Sequence, residues 1–252
     1  MYECSLITNG YLLTDAYIRE LRSMNCTMIQ ITIDGDRESH NNRRFLQNGL
    51  GTYDRIVENL LFVVKAEIPL ILRINVNEEN IDEAQYVLDI IPEQYRSKVI
   101  ISVANLFQNE KKINPYVVYK KAIELGYEYK LRNPIFMACH ACLKNGIVIS
   151  PNGKLIICEN VDNDDKELGY IDEEGHIVVN NVAMYYKLKT ISALQNPTCR
   201  KCKELPLCIA SCKYKRTMDN QKCIGMRNDG LALEERAKLC YLYDINRKRC
   251  GK

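Results

Sequence analysis

The sequence predicts an α/β protein in which a parallel β/α barrel, or part of one, precedes a smaller cysteine-rich domain. Two observations support this fold class. Short β-branched runs alternate with segments of helical periodicity in the first part of the chain. Cysteines are concentrated in the second part, because only Cys4 and Cys26 precede residue 139 among the 12 cysteines of the chain. We therefore expect two domains, residues 1–136 and residues 137–252.

The first part contains four successive strand–helix units. The predicted strands are SLIT, MIQITI, PLILRINV and KVIISVANL, and the helices that follow them are TDAYIRELRSM, GTYDRIVENLLFVVKA, NIDEAQYVLDII and NPYVVYKKAIELG. Asn80 followed by Glu83 predicts an N-cap and capping residue for the third helix. Gly126 predicts the C-cap of the fourth. Four βα units in a row indicate a parallel sheet whose functional edge lies at the carboxyl ends of its strands.

Composition and charge exclude several classes of protein. Hydrophobic residues make up 46% of the 252 residues and charged residues 27%, as in globular proteins rather than disordered or fibrous ones. The net charge of +3 argues against a nucleic-acid partner. Charged residues interrupt the most apolar stretch, LLFVVKAEIPLILRI, so no membrane span is expected. The opening residues lack the pattern of a secretory signal, so we expect the protein to be cytoplasmic. Structural disulfides are rare in the cytoplasm.

The spacing of the later cysteines predicts metal sites. Cys139 and Cys142 form CHAC, Cys158 ends SPNGKLIIC, and a CX2CX5CX3C motif follows, with Cys199, Cys202, Cys208 and Cys212. GIVIS and KLIIC predict two strands of a hairpin with PNG at its turn. Cysteines separated by two residues direct thiolates from one tight turn toward one centre, as zinc and iron-sulfur sites both require. Eight or more such thiols predict two four-ligand sites, and the spacing alone leaves zinc open.

The order of these motifs resembles a known family. CX10GX4C, then CX2CX5CX3C, then a later cysteine resembles the SPASM domain of radical S-adenosylmethionine (SAM) enzymes, which binds auxiliary [4Fe-4S] clusters. The first part resembles the barrel of the same superfamily. TIDG at residues 32–35, His40 with Arg44, and GLGTYDRI at residues 49–56 are similar to the family patterns S(I/L)DG, HDxxR and GxGTFDxI. Together the two resemblances cover nearly the whole chain and imply a partial radical SAM-type barrel followed by a SPASM domain.

The resemblance implies an oxidoreductase that modifies a peptide or protein by thioether or carbon-carbon cross-linking, or by side-chain oxidation. Relatives hold a catalytic cluster through CX3CX2C, and they bind SAM near a GGE motif. Neither motif occurs here, so the chain resembles the C-terminal portion of a longer enzyme, and SAM is expected only in the intact family member. A flavodoxin or ferredoxin would be the electron donor. The alternative is a non-catalytic peptide-binding module or remnant stabilised by iron-sulfur clusters or zinc.

The resemblance also implies ligands for two auxiliary [4Fe-4S] clusters. The near cluster takes Cys139, Cys142, Cys158 and Cys212, and the far cluster takes Cys199, Cys202, Cys208 and Cys223. Two alternatives stay open. Cys240, in a helical segment, could replace Cys223 or belong to the core, and the tight CHAC spacing leaves open whether both of its cysteines bind.

Two residues of the first part correspond to SAM-binding positions in relatives. Thr32 corresponds to a residue that contacts the ribose of SAM, and Arg44 to one that contacts its carboxylate, as a hydroxyl and a guanidinium would suit. The alternative is a buried strand threonine and a surface arginine. His40 is expected to cap a loop. No catalytic residue is predicted.

Overall fold

The computed structural model describes residues 3–106, 112–129, 143, 146–158, 167–203, 205 and 230–249. The chain forms two compact units, one of Met1–Leu131 with Asn228–Lys252 and the other of Arg132–Arg227. Each unit has its own hydrophobic core. No helix within the described ranges is both long and apolar enough to cross a membrane.

The first unit contains a parallel sheet with the strand order β1-β2-β3-β4. Its strands are β1 Cys4–Thr8, β2 Cys26–Ile33, β3 Leu70–Val76 and β4 Val99–Asn105. Its helices are α1 Asp15–Ser23, α2 Arg37–Arg43, α3 Tyr53–Lys65, a 3-10 helix Glu83–Asp89, α4 Glu93–Arg96 and α5 Tyr116–Glu124. The predicted mixed α/β class and the four βα units are confirmed. The sequence analysis did not predict the short helix α2.

The two faces of this sheet differ in burial because successive side chains of a strand point to opposite faces. Along β2, Ile29, Ile31 and Ile33 are fully buried, and they belong to the same core as apolar residues of α3. The opposite face carries Thr32, which is only partly buried. On that face Ile7 of β1 is 70% exposed. The core therefore covers one side of the sheet and leaves the other open to contacts.

The helix α8, Leu233–Arg249, belongs to the first unit. It packs against α5, and the Nδ2 of Asn246 donates to the carbonyl of Ile123 at 3.0 Å, across 123 residues of sequence. Cys240 of α8 packs against the core, and burial raises the pKa of its thiol. Of the two alternatives that the sequence left open for Cys240, this packing agrees with a place in the core. The helix lies in sequence within residues 137–252, yet its contacts are with the first unit.

The second unit is built on a four-stranded antiparallel sheet with the order β5-β6-β7-β8. Its strands are β5 Val148–Ile149, β6 Lys154–Ile156, β7 Gly169–Ile171 and β8 Ile177–Val179, followed by α6 Val182–Thr190, a 3-10 helix Ala193–Gln195 and α7 Pro197–Arg200. The predicted hairpin is confirmed as β5 and β6, with Gly153 at φ +77° in its turn. Loops were expected beyond it, but β7 and β8 form a second hairpin there.

Candidate functional site

Polar side chains converge where β2 and β3 end, at the carboxyl edge of the parallel sheet. Asp34 directly follows β2 and is only 3% exposed. The Nε of Arg44 donates to its Oδ2 at 2.6 Å, and the Nδ2 of Asn75 donates to its Oδ1 at 2.9 Å. A buried carboxylate is tolerated only when it is paired and hydrogen-bonded. Both oxygens of Asp34 are satisfied in this way, so its position is fixed from both sides.

Asn80 joins the loops that follow the two strands. Its Nδ2 donates to the carbonyl oxygens of Asp34 at 3.2 Å and of Asn75 at 2.9 Å, and its Oδ1 accepts from the backbone N–H of Asn77 at 2.8 Å. The predicted N-cap role of Asn80 with Glu83 is wrong. Asp82 precedes the 3-10 helix, without a capping hydrogen bond from its side chain. The Asn80 amide bonds these backbone groups instead of capping the helix.

His40 of α2 connects the same cluster to the start of α3. Its Nδ1 accepts from the backbone N–H of Asp34 at 3.2 Å, and its Nε2 lies 3.2 Å from the Oγ1 of Thr52. The Thr52 hydroxyl donates to the carbonyl of Arg44 at 2.8 Å, so it accepts from His40. This pattern assigns the neutral tautomer with its proton on Nε2. As the sequence predicted, His40 caps a loop.

Burial determines the protonation of His40. The side chain is fully buried, and this burial lowers the pKa of His40 to about 4. The negative charge of Asp34 raises the pKa and the positive charge of Arg44 lowers it, but both effects are smaller than that of burial. The ring is therefore neutral near pH 7, as an acceptor at Nδ1 requires.

Arg43 fixes α2 to the loop after β3. Its Nη2 donates to the Oδ1 of Asn77 at 2.7 Å and lies 3.5 Å from the Oε2 of Glu79. Its Nη1 is buried and has no hydrogen-bond partner within the described ranges. Adjacent arginines of one short segment thus have different roles, since Arg43 bonds the neighbouring loop and Arg44 bonds the buried carboxylate.

Arg44 keeps part of its guanidinium available. Only its Nε bonds Asp34, its side chain is 33% exposed, and its two terminal nitrogens make no hydrogen bond to any residue that the structure describes. Thr32 lies at the end of β2, two residues before Asp34, with Arg73 of β3 as its register partner. A guanidinium held at Nε with two outward N–H groups has the geometry to bind a carboxylate in a bidentate manner. The donor chemistry of Arg44 therefore suits a carboxylate ligand.

Three of the predicted cluster ligands lie within the described ranges. Cys158 follows β6 and is 8% exposed, and Cys199 lies in α7 and is 6% exposed. Cys202 is exposed, and its backbone N–H donates to the carbonyl of Cys199 at 3.0 Å. This tight turn is the local geometry that the CX2C spacing predicted. Outside the described residues lie Cys139, Cys142, Cys208, Cys212 and Cys223.

Two residues of this site have contacts that the sequence analysis did not predict. It identified Thr32 and Arg44 through the motifs but missed Asp34 as the partner of Arg44. It also missed Asn75, which is contributed by the next strand. Because Asp34 and Asn75 are 41 residues apart, only the parallel pairing of β2 with β3 brings them together. A polar residue at the end of each of two neighbouring predicted strands was the signal that could have found them.

The chain was compared with protein families, with curated proteins and with solved structures. No protein-family model matches the chain, and no curated protein matches it significantly. The structure of anSMEcpe with bound AdoMet, which is SAM, is similar at 17% identity and a TM-score of 0.64, over 98% of this chain and 76% of that chain. The structure of anSMEcpe with bound AdoMet and the Cp18Cys peptide matches at 16% identity and a TM-score of 0.64, with the same coverage.

A more distant similarity is to SuiB from Streptococcus suis bound to S-adenosylmethionine. It has 12% identity and a TM-score of 0.51, over 81% of this chain and 54% of that chain. At such identities the likeness shows a shared fold.

Proposed function

We propose that the chain is part of a radical SAM/SPASM oxidoreductase that modifies a peptide or protein substrate, by cross-linking or by side-chain oxidation. The observation that carries this proposal is the Asp34–Arg44 pair at the carboxyl edge of the parallel sheet. The motif residues of the family resemblance meet there, in a fold similar to that of SAM-bound proteins. Ligands of open α/β sheets bind at this edge.

In this proposal Arg44 binds the carboxylate of SAM and Thr32 contacts its ribose. Asp34 accepts from the Nε of Arg44, which leaves the two terminal nitrogens for a ligand, and His40 and Asn75 hold Asp34 in place. A fixed guanidinium loses less conformational entropy on binding than a mobile one. The chemistry that SAM would supply, when bound together with its own cluster, is hydrogen-atom abstraction from the substrate.

The second unit would hold two auxiliary [4Fe-4S] clusters for electron transfer or substrate binding. Cys139, Cys142, Cys158 and Cys212 bind the near cluster, and Cys199, Cys202, Cys208 and Cys223 bind the far one. The burial of Cys158 and Cys199 supports this proposal, because thiolates at low exposure shield a cluster from water. Neither thiol is joined by a disulfide to another described cysteine.

The proposed partners are a peptide substrate and an electron donor. A peptide substrate is supported by neighbours of similar fold whose structures contain the Cp18Cys and Kp18Cys peptides. An electron donor of the flavodoxin or ferredoxin type would supply reducing equivalents. We expect this work to take place in the cytoplasm, where such donors keep clusters reduced.

The role of Arg44 is tested by two nucleosides that differ in the group it would contact. SAM carries the carboxylate and 5′-methylthioadenosine lacks it. Dissociation constants are measured by calorimetry on the anaerobically reconstituted chain. We expect Arg44→Gln to weaken SAM binding at least about tenfold, since a charge-assisted hydrogen bond contributes about 1.5–3 kcal/mol. Binding of 5′-methylthioadenosine should change by less than about twofold.

Arg37→Gln is the matched control, because Arg37 begins the helix α2 that Arg44 follows but pairs with the exposed Asp54. It should leave both constants unchanged. Equal weakening of both nucleosides by Arg44→Gln would assign this arginine to folding and contradict a carboxylate contact. Because the chain lacks CX3CX2C, we expect it to bind SAM weakly, and SAM binding that Arg44→Gln leaves unchanged would contradict the SAM site.

The second candidate is a peptide-binding module without catalysis. One observation favours it, since the sequence contains no CX3CX2C motif. Such a module would keep the metal-stabilised second unit and bind peptide with no need of SAM. The nucleoside measurement separates the candidates, because the module would bind neither SAM nor 5′-methylthioadenosine.

A further inference from the structure

Two cysteines outside the predicted cluster ligands meet at the amino edge of the parallel sheet. Cys4 is the first residue of β1 and Cys26 is the first residue of β2, and the two are register partners. The two thiols are near enough for Cys4 to raise the pKa of Cys26. This edge lies opposite the Asp34 cluster, because parallel strands all begin at one edge and end at the other. The pair is therefore separate from the proposed SAM site.

The backbone holds these two residues at bonding range. Neighbouring strands lie about 4.8 Å apart, within the roughly 4.4–6.8 Å that a disulfide spans between Cα atoms. The N–H of Cys4 donates to the carbonyl of Asn25 at 3.4 Å, and the hydroxyl of Thr27 donates to the carbonyl of Cys4 at 3.2 Å. These bonds fix Cys4 against both neighbours of Cys26. The strand register shifts just after Cys4, and rotation of the two side chains would bring the sulfurs together.

The two thiols differ in access to solvent. Cys4 is half-buried at the edge of the core, whereas Cys26 is 8% exposed. Burial raises the pKa of Cys26, the backbone contact with Met28 lowers it, and the neighbouring Cys4 raises it further. An oxidant thus reaches Cys4 first, and Cys26 lies behind it. Redox-active cysteine pairs use this division between an attacking and a resolving thiol.

We propose that Cys4 and Cys26 form a reversible disulfide by exchange with a low-molecular-weight disulfide such as glutathione disulfide. The Cys4 thiolate attacks one sulfur of glutathione disulfide and releases one glutathione, leaving a mixed disulfide. The Cys26 thiolate then attacks the Cys4 sulfur and releases the second glutathione. Two protein thiols are oxidised to one disulfide, and glutathione disulfide is reduced to two molecules of glutathione. The bond links β1 to β2 and does not depend on the proposed SAM chemistry.

The sequence allows this bond to be identified without any variant. Trypsin releases Cys4 in residues 1–19 and Cys26 in residues 23–37, and each of these peptides contains a single cysteine. The protein is incubated with glutathione disulfide, alkylated, digested and analysed by mass spectrometry. We expect the two peptides to be linked in most molecules and to separate after treatment with dithiothreitol. If both peptides are recovered alkylated or glutathionylated without a link, the proposal is overturned.

A stability measurement gives a second test of the same bond. Oxidation should raise the melting temperature of the first unit by about 5 °C, because the bond restrains the unfolded chain between the two residues. Cys4→Ser and Cys26→Ser should each abolish the rise. Cys240→Ser, which removes another half-buried thiol of this unit, should leave it intact. A rise that persists in Cys4→Ser would overturn the proposal.

Discussion

Asp34 organises the candidate site at the scale of single residues. Its carboxylate accepts from Arg44 and Asn75, its N–H donates to His40, and its carbonyl accepts from Asn80. These partners come from two segments, the end of α2 and the end of β3 with the loop after it. Glycine follows at position 35 with φ +104°, a backbone conformation that side chains rarely adopt. The turn at Gly35 thus lets the chain leave β2 with Asp34 held at the strand end.

The buried His40 makes the stability of the first unit dependent on pH. Burial lowers the pKa of His40 from its ordinary value of 6.5 to about 4 in the folded protein, so the unfolded chain binds more protons between these values. Stability due to neutral His40 is complete above about pH 6.5 and is lost as the pH falls toward 4. We expect a loss of about 2 kcal/mol between pH 7 and pH 5 in urea denaturation.

His40→Asn tests this dependence, because its amide oxygen preserves an acceptor near the Asp34 N–H but does not titrate. The variant should be less stable at pH 7 and should lose much less stability on acidification. His176→Asn is the control, since His176 has a largely exposed side chain in the second unit. If His40→Asn loses as much unfolding free energy between pH 7 and pH 5 as the wild-type protein does, the assignment of a neutral buried ring is contradicted.

Sequence motifs identified Arg44 and Thr32 but not the partners that orient them. Arg44 and Asp34 are ten residues apart, and a motif can record such a pair without revealing that they touch. Asn75 and Asn80 are 41 and 46 residues from Asp34. Nothing in the sequence distinguishes these two asparagines from other polar residues near loops. The capping interpretation of Asn80 failed because its Oδ1 accepts from the backbone N–H of Asn77 instead.

The helices and strands of the first part could be predicted from their sequence patterns. Each predicted strand of the first part exists, because continuous β-branched runs bounded by polar turns have few alternative conformations. The third helix forms as a 3-10 helix, in which Ala84, Val87 and Leu88 are buried. Buried positions three or four apart fit both helix types, so the sequence could not separate them.

The hairpin of β7 and β8 shows why short strands escape sequence analysis. Each strand has three residues, and charged residues lie in the turn between them. Gly169 contributes to their pairing, because a Cβ built there would lie 1.8 Å from the carbonyl oxygen of Val178. The close approach of backbones explains a glycine inside a strand.

Gly169→Ala should therefore disrupt the second unit. We expect a loss of at least about 3 kcal/mol in its unfolding free energy, or loss of soluble protein, since the clash involves backbone that cannot rotate away. Gly153→Ala is the matched control. A Cβ there meets nothing within 4 Å, and only its φ of +77° opposes alanine, at about 1 kcal/mol. Equal effects of both substitutions in denaturation would refute the close packing of β7 on β8.

At the scale of the whole molecule, the sequence predicted a first part rich in βα units and a second part organised around cysteines. The return of α8 to the first unit was not predictable, because Asn246 and Ile123 are brought together only by tertiary packing. Net charge and composition contain no information about such a contact. The two units have separate hydrophobic cores, which is consistent with the different roles proposed for them, a SAM site in the first and cluster ligands in the second.

The cysteines of the second unit are proposed to hold iron-sulfur clusters. This proposed function is tested most directly by measuring iron, acid-labile sulfide and zinc per chain after anaerobic reconstitution, with the electron paramagnetic resonance spectrum after reduction. Two [4Fe-4S] clusters predict about eight irons and about eight sulfides, with signals of reduced clusters. About two zincs per chain with no sulfide would contradict the claim and leave the thiols as structural zinc ligands.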